Sequence, residues 1–139
     1  MKNSFLILFL LTLFLFSCSK EKKNNSVNIK QTDSVSIYLS KINKGDISDD
    51  ESLKLNNRSL DIISQTENTL LNRDNLYNII SNYYLLNKWD KYKLASKILL
   101  KNSLSANDTI NLAKSYRSFG NYYYQMQILD SAFYFYTNS

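Results

Sequence analysis

Tyr116-Arg117-Ser118-Phe119-Gly120-Asn121-Tyr122-Tyr123-Tyr124-Gln125-Met126-Gln127-Ile128-Leu129-Asp130-Ser131-Ala132-Phe133-Tyr134-Phe135-Tyr136 is the stretch whose reading decides the fold. Leu112, Tyr116, Phe119 and Tyr123 recur at intervals of three and four, and so do Leu129, Ala132, Phe133 and Tyr136. Each set is the buried stripe of an amphipathic helix. Gln125-Met126-Gln127 separates them as a tight turn, so the two helices run antiparallel.

The same arrangement precedes it by 37 residues, where Ile79, Tyr83, Ala95 and Leu99 overlay Tyr116, Gly120, Ala132 and Tyr136. Leu76, Ile79, Ile80, Tyr83 and Leu86 form one stripe, and Tyr92, Ala95, Ser96 and Leu99 the next. Lys88-Trp89-Asp90 is the turn between them. Asp49-Asp50-Glu51 places carboxylates at a helix N-terminus, and Asn107-Asp108 offers a cap for another. The spacing predicts helices over 34–43, 50–66, 71–87, 90–102, 108–125 and 128–138, with a break at Lys44-Gly45-Asp46.

Tyr116, Phe119-Gly120, Tyr123, Ala132 and Tyr136 resemble the signature of the tetratricopeptide repeat. The resemblance implies an all-α fold of antiparallel helical hairpins stacked as a short solenoid, incomplete at the C-terminus, with Gly120 and Ala132 at the close approach of a hairpin's two helices and Phe133 and Tyr136 wedged against the neighbouring hairpin. One repeat covers about 76–103 and another about 113–139, and Ser59, Leu60 and Ile63 suggest a half-repeat at about 50–66 without a convincing first helix. The chain departs from the family in having no proline and a period above the usual ~34 residues, which makes Asn102–Asn107 a longer connector.

The resemblance also implies a concave groove that takes up peptides or partner helices. Its lining would be Tyr77, Ile80, Tyr84, Asn87 and Lys88 from one repeat and Lys114, Arg117, Asn121, Tyr124 and Gln125 from the next. Lys114, Arg117 and Asn121 share a helical face suited to a carboxylate, so the expected partner is a protein or peptide bearing an acidic group, against the plainer expectation of a solvated basic face.

The N-terminus reads as an address. Lys2 precedes the apolar run 5–16, which is shorter than the roughly 20 residues of a membrane span and has the form of a secretory signal. Leu15-Phe16-Ser17-Cys18 resembles the lipobox of bacterial lipoproteins, although Phe16 stands where a small residue is usual. The resemblance implies a signal peptide at 1–17, acylation of Cys18 with palmitate-type chains, and a flexible tether over 18–33 ahead of the helical region 34–139. Its cleavage removes only the charge of Lys2 from the net +5. The expected location is the cell envelope, lipid-anchored on the periplasmic side.

Composition narrows function further. With no histidine and one cysteine, the chain has no His-based catalytic pair, no His-ligated metal and no thiolate zinc site. Two distant glycines, Gly45 and Gly120, exclude a phosphate-cradling loop. No cofactor, metal, catalytic group or nucleic-acid contact is therefore expected, and the chain reads as a non-catalytic, membrane-tethered binding module. An alternative comes from Ala113-Lys114-Ser115-Tyr116 and Gly120-Asn121-Tyr122-Tyr123, which look similar to the N-terminal repeats of bacterial sensor kinases and helix-turn-helix regulators. On that reading the chain is the sensory front of a longer signalling protein. The helical stack ends inside the second helix of a hairpin, with no polar closing helix.

Overall fold

The computed structural model describes the backbone of residues 24–139 and the side chains of residues 34–139. The signal segment, Cys18 and the first part of the tether lie outside the described residues. Among those described, six α-helices follow one another: α1 (Asn24–Lys44), α2 (Asp49–Ser64), α3 (Leu70–Leu85), α4 (Trp89–Ser105), α5 (Thr109–Gln125) and α6 (Leu129–Thr137). Each packs on the next, and α3 also touches both α1 and α5. This is an all-helical domain consistent with stacked hairpins, in which the second helix of one pair packs on the first helix of the next and the first helices also touch.

The helix starts follow capping chemistry. Ser48, Thr69 and Asp108 each accept a hydrogen bond from a backbone N–H three residues ahead, satisfying one of the donors that a helix N-terminus leaves free. Asp49, Asp50 and Glu51 fill the first turn of α2, where negative charge is favoured.

Three of the helix junctions share one geometry. Asn87, Asn107 and Gln127 have φ of 55°, 52° and 58°. The following N–H groups of Lys88, Asp108 and Ile128 donate back to the carbonyls of Tyr83, Ser103 and Tyr123, and Asn87, Asn107 and Gln127 donate to Tyr84, Leu104 and Tyr124. These paired bonds are Schellman motifs, with the left-handed position held by an amide residue instead of glycine. Lys88, Asp108 and Ile128 then cap the next helix, so three residues reverse the chain. Gly45, φ 74°, ends α1 by the same left-handed route.

These turns correct the sequence reading in three places. The two hairpin turns are centred on Asn87 and Gln127, which puts the structural repeat at 40 residues and slips the 37-residue overlay by three. The expected connector 102–107 is helical through Ser105, because nothing stops α4 before Asn107 turns left-handed. Helix α1 begins at Asn24, inside the stretch expected as tether, since no glycine or proline interrupts the chain before Gly45. It packs against α2 and α3, so a helix precedes the segment expected as a half-repeat.

The main core joins α1 to α4. Val35, Leu39, Leu60, Ile63, Leu76, Ile79, Ile80, Tyr83, Tyr92, Ala95 and Leu99 are buried together, each large side chain contributing roughly 1.5–3 kcal/mol by leaving water. Between α5 and α6 the packing is aromatic. Phe135 stacks on Phe119 at 5.1 Å and on Tyr123 at 5.3 Å, with Tyr116 at 5.9 Å. The expected wedge Phe133 is instead 70% exposed. Helix α6 is rotated so that Ala132 and Phe135 face α5, and Leu129 and Phe133 turn outward.

Amide and charged side chains lock the pairs in register. Asn56 donates to the Ile79 carbonyl at 2.9 Å and accepts from Asn82 at 3.2 Å, joining α2 to α3. Tyr83 donates to Asn57 at 2.8 Å. Arg73 of α3 donates to Asp108 at 2.7 Å with both side chains about nine-tenths buried, and its far end reaches Asn68.

Candidate functional site

The layer of α3 and α5 carries a cavity of about 220 Å³. Helical spacing brings Tyr77, Ser81 and Tyr84 to its α3 wall, and Ser118 and Asn121 to its α5 wall. Ile80, 1% exposed, and Tyr92 of α4 form the floor. Ser81 and Ser118 donate to the carbonyls of Tyr77 and Lys114 four residues back, so both hydroxyl protons are used within their own helices.

The aromatic wall is braced from below. Trp89 meets Tyr84 edge-on at 5.3 Å and Tyr92 at 5.5 Å, while Tyr84 and Tyr92 lie 6.0 Å apart. From α6, the Tyr136 hydroxyl donates to Asn121 Oδ1 at 2.7 Å, which fixes the Asn121 amide at the cavity edge. Gly120 makes this reach possible: a Cβ there would stand 2.5 Å from the Tyr136 ring.

Three tyrosines, Tyr77, Tyr84 and Tyr92, line the cavity. Burial pushes the Tyr92 hydroxyl pKa up, a rise that hydrogen bonding by Asn121 and Ser118 opposes. Burial, with Tyr124 and Tyr84 near by, also raises Tyr136, against the pull of Arg117. Such hydroxyls stay protonated at neutral pH. They offer hydrogen bonds and flat amphipathic surface.

Of the residues expected in the groove, Tyr77, Ile80, Tyr84 and Asn121 come together at this cavity, Ile80 as part of the core beneath it. Lys88 lies in the exposed α3–α4 turn, and Tyr124 is 59% exposed. Arg117 is exposed beside Tyr136. Lys114 is already engaged: it pairs with Asp74 at 3.3 Å and sits 5.1 Å above the Tyr77 ring. Sequence reasoning missed Ser81, Leu85, Tyr92 and Ser118 in the lining, and Asp74 beside it. A repeat counted from the turns places Asp74, Ser81 and Leu85 opposite Lys114, Asn121 and Gln125, which is the signal that finds three of them.

Among the described residues no group of three or more carboxylate, thiol or imidazole side chains converges on a metal position, and no helix is long and apolar enough to cross a membrane. Comparison with models of protein families, with curated proteins and with solved structures gives no match.

Proposed function

We propose that the chain is a membrane-tethered, non-catalytic module of tetratricopeptide type that binds a protein or peptide partner in the bacterial cell envelope, held there through acylated Cys18. The observation that carries the reading is the open cavity between α3 and α5, walled by Tyr77 and Tyr84 and edged by the fixed Asn121 amide. Concave sites with apolar walls and a few placed polar groups are where ligands bind. Arg117 supplies the positive charge for an acidic group, Lys114 being neutralised by Asp74.

Trp89, the one tryptophan, touches Tyr84 and so reports on the cavity. Titration with acidic peptides is expected to change its emission saturably. Tyr84→Ala abolishes the response and Arg117→Ala weakens it several-fold. A Trp89 signal that never responds to peptide removes the binding reading, and a response untouched by Arg117→Ala removes the acidic-group part of it. Palmitate labelling that persists in Cys18→Ser removes the anchor.

A further inference from the structure

Charge is spread unevenly over the helical domain. Residues 88–105, which are α4 and the turn residue before it, carry five lysines against one aspartate, an excess of four positive charges. The rest of 34–139 carries seven basic and nine acidic residues, so it is acidic by two. Lys93, Lys97 and Lys101, spaced by four, share one side of α4 with Leu94 and Leu104, and all five are exposed. Asp90 stands on that side in the first turn, next to the positive end of the helix. Tyr92, Ala95, Ser96, Leu99 and Ser103 are buried on the other side. Among the described residues the ion pairs are Lys41–Glu51, Arg73–Asp108 and Lys114–Asp74, and none uses a lysine of α4. Lys93 lies 4.7 Å above the Tyr122 ring, a contact that leaves its charge in place.

The chemistry of this face selects its partner. An ammonium on a flexible four-carbon stem is a point charge without a fixed direction, better matched to a moving array of phosphates than to the fixed carboxylates of a protein. Leucines set between the lysines add apolar contact at headgroup depth, and the lysine stems lie along it while their charges stay in water. From Lys93 to Leu104 the helix axis rises about 16.5 Å, so the whole face can rest on one flat surface.

We infer that the outer face of α4 lies on an anionic phospholipid surface, with Lys93, Lys97 and Lys101 meeting headgroup phosphates and Leu94 and Leu104 entering between them. The inference rests on the membrane-tethered reading above and adds an orientation to it. Tyr92, on the opposite side of α4, floors the tyrosine-walled cavity, so a domain lying on α4 turns that cavity away from the lipid.

The test mixes the full chain with vesicles of phosphatidylcholine alone or of phosphatidylcholine and phosphatidylglycerol in equal parts. Flotation reports attachment, and acetylation by an amine-reactive ester, read by mass spectrometry, reports which lysines are covered. Each lysine brought to an anionic surface strengthens attachment about fivefold. Lys93, Lys97 and Lys101 are therefore expected to label several-fold more slowly on the mixed vesicles than on phosphatidylcholine, while Lys54, exposed on α2, changes little. High salt removes the difference. Lys97→Glu with Lys101→Glu keeps the helical circular dichroism and returns Lys93 to its phosphatidylcholine rate, whereas Lys97→Arg with Lys101→Arg keeps Lys93 protected. If the chain floats with both vesicles and α4 labels equally on each, the tether stands and the inference fails. If it floats only with the mixed vesicles and the double Glu variant stays behind, the anchor falls and the inference stands. If soluble polyglutamate protects α4 and the mixed vesicles do not, the face belongs to an acidic protein and the inference fails. If the chain floats with neither vesicle, both readings fall.

Discussion

The ring of Tyr136 occupies the space in which a side chain at Gly120 would begin, with Cδ1 and Cε1 2.5 and 2.6 Å from an ideal Cβ. One missing methyl therefore decides whether α6 can lie on α5 and whether Tyr136 can reach Asn121. Gly120→Ala is expected to displace Tyr136 and speed amide exchange in α6. Alanine is intrinsically the better helix former by about 1 kcal/mol. In a Tyr136→Ala background the same substitution is thus expected to stabilise the protein by up to ~1 kcal/mol. A double-mutant cycle by urea denaturation measures this, and additivity of the two changes would show that the contact has no energetic role.

The buried Arg73–Asp108 pair ties α3 to the start of α5. Hydrogen bonds from Asn111 and from Arg73 hold the Asp108 carboxyl down at about 2. Native Asp108 thus binds its proton more weakly than the unfolded chain does. It contributes about 2 kcal/mol above pH ~4, lost progressively as pH falls through 2. Arg73→Met leaves Asp108 buried without its cation and costs roughly 3 kcal/mol at neutral pH. It also flattens the acid limb of the stability curve, which thermal melts from pH 2 to 7 read directly.

At the alkaline end the sign reverses. Tyr83 and Tyr92 have raised pKa values because burial disfavours the phenolate. Their contribution is complete below pH 10 and is lost as pH rises beyond it. Absorbance titration of the phenolates is expected to show a late cooperative phase coinciding with loss of helix. Tyr92→Phe reduces its amplitude.

Gln127 holds a left-handed conformation that costs a side chain with a Cβ roughly 1 kcal/mol. Gln127→Gly is expected to raise stability by about 0.5–1 kcal/mol. Asn107→Gly gains less, since asparagine tolerates that conformation better. Urea midpoints for the two variants rank the turns.

The helices were legible because a stripe such as Leu76, Ile79, Ile80 and Tyr83 depends only on local spacing, and all four are buried. The cap at Asp108 follows from a neighbour three residues away, which a sequence displays directly. The phase of α6 was not legible. Phe133 and Phe135 are equally apolar, and only contact with Phe119 and Tyr123 selects Phe135. Asparagine hid the rest. Asn87 and Asn107 turn the chain, whereas Asn56, Asn72, Asn75, Asn82 and Asn111 are buried, and composition does not separate those uses. The 37-residue overlay slipped by three for a related reason. Ala95 and Ala132 look equivalent as small residues, but the turns pair Ala132 with Tyr92.

The three matching turns bear on folding kinetics. Each is closed by hydrogen bonds spanning five residues or fewer, and it sets two helices side by side before any distant part of the chain is needed. Contacts of such short sequence separation carry little loop-closure entropy, so the domain is expected to fold fast for its size. The same locality divides its cooperativity. Helix α6 is held chiefly by Phe135, Ala132 and Tyr136 on a single neighbour, so it opens and closes many times for each global unfolding event. Because Tyr136 also fixes Asn121, those openings set how often the cavity edge is rebuilt.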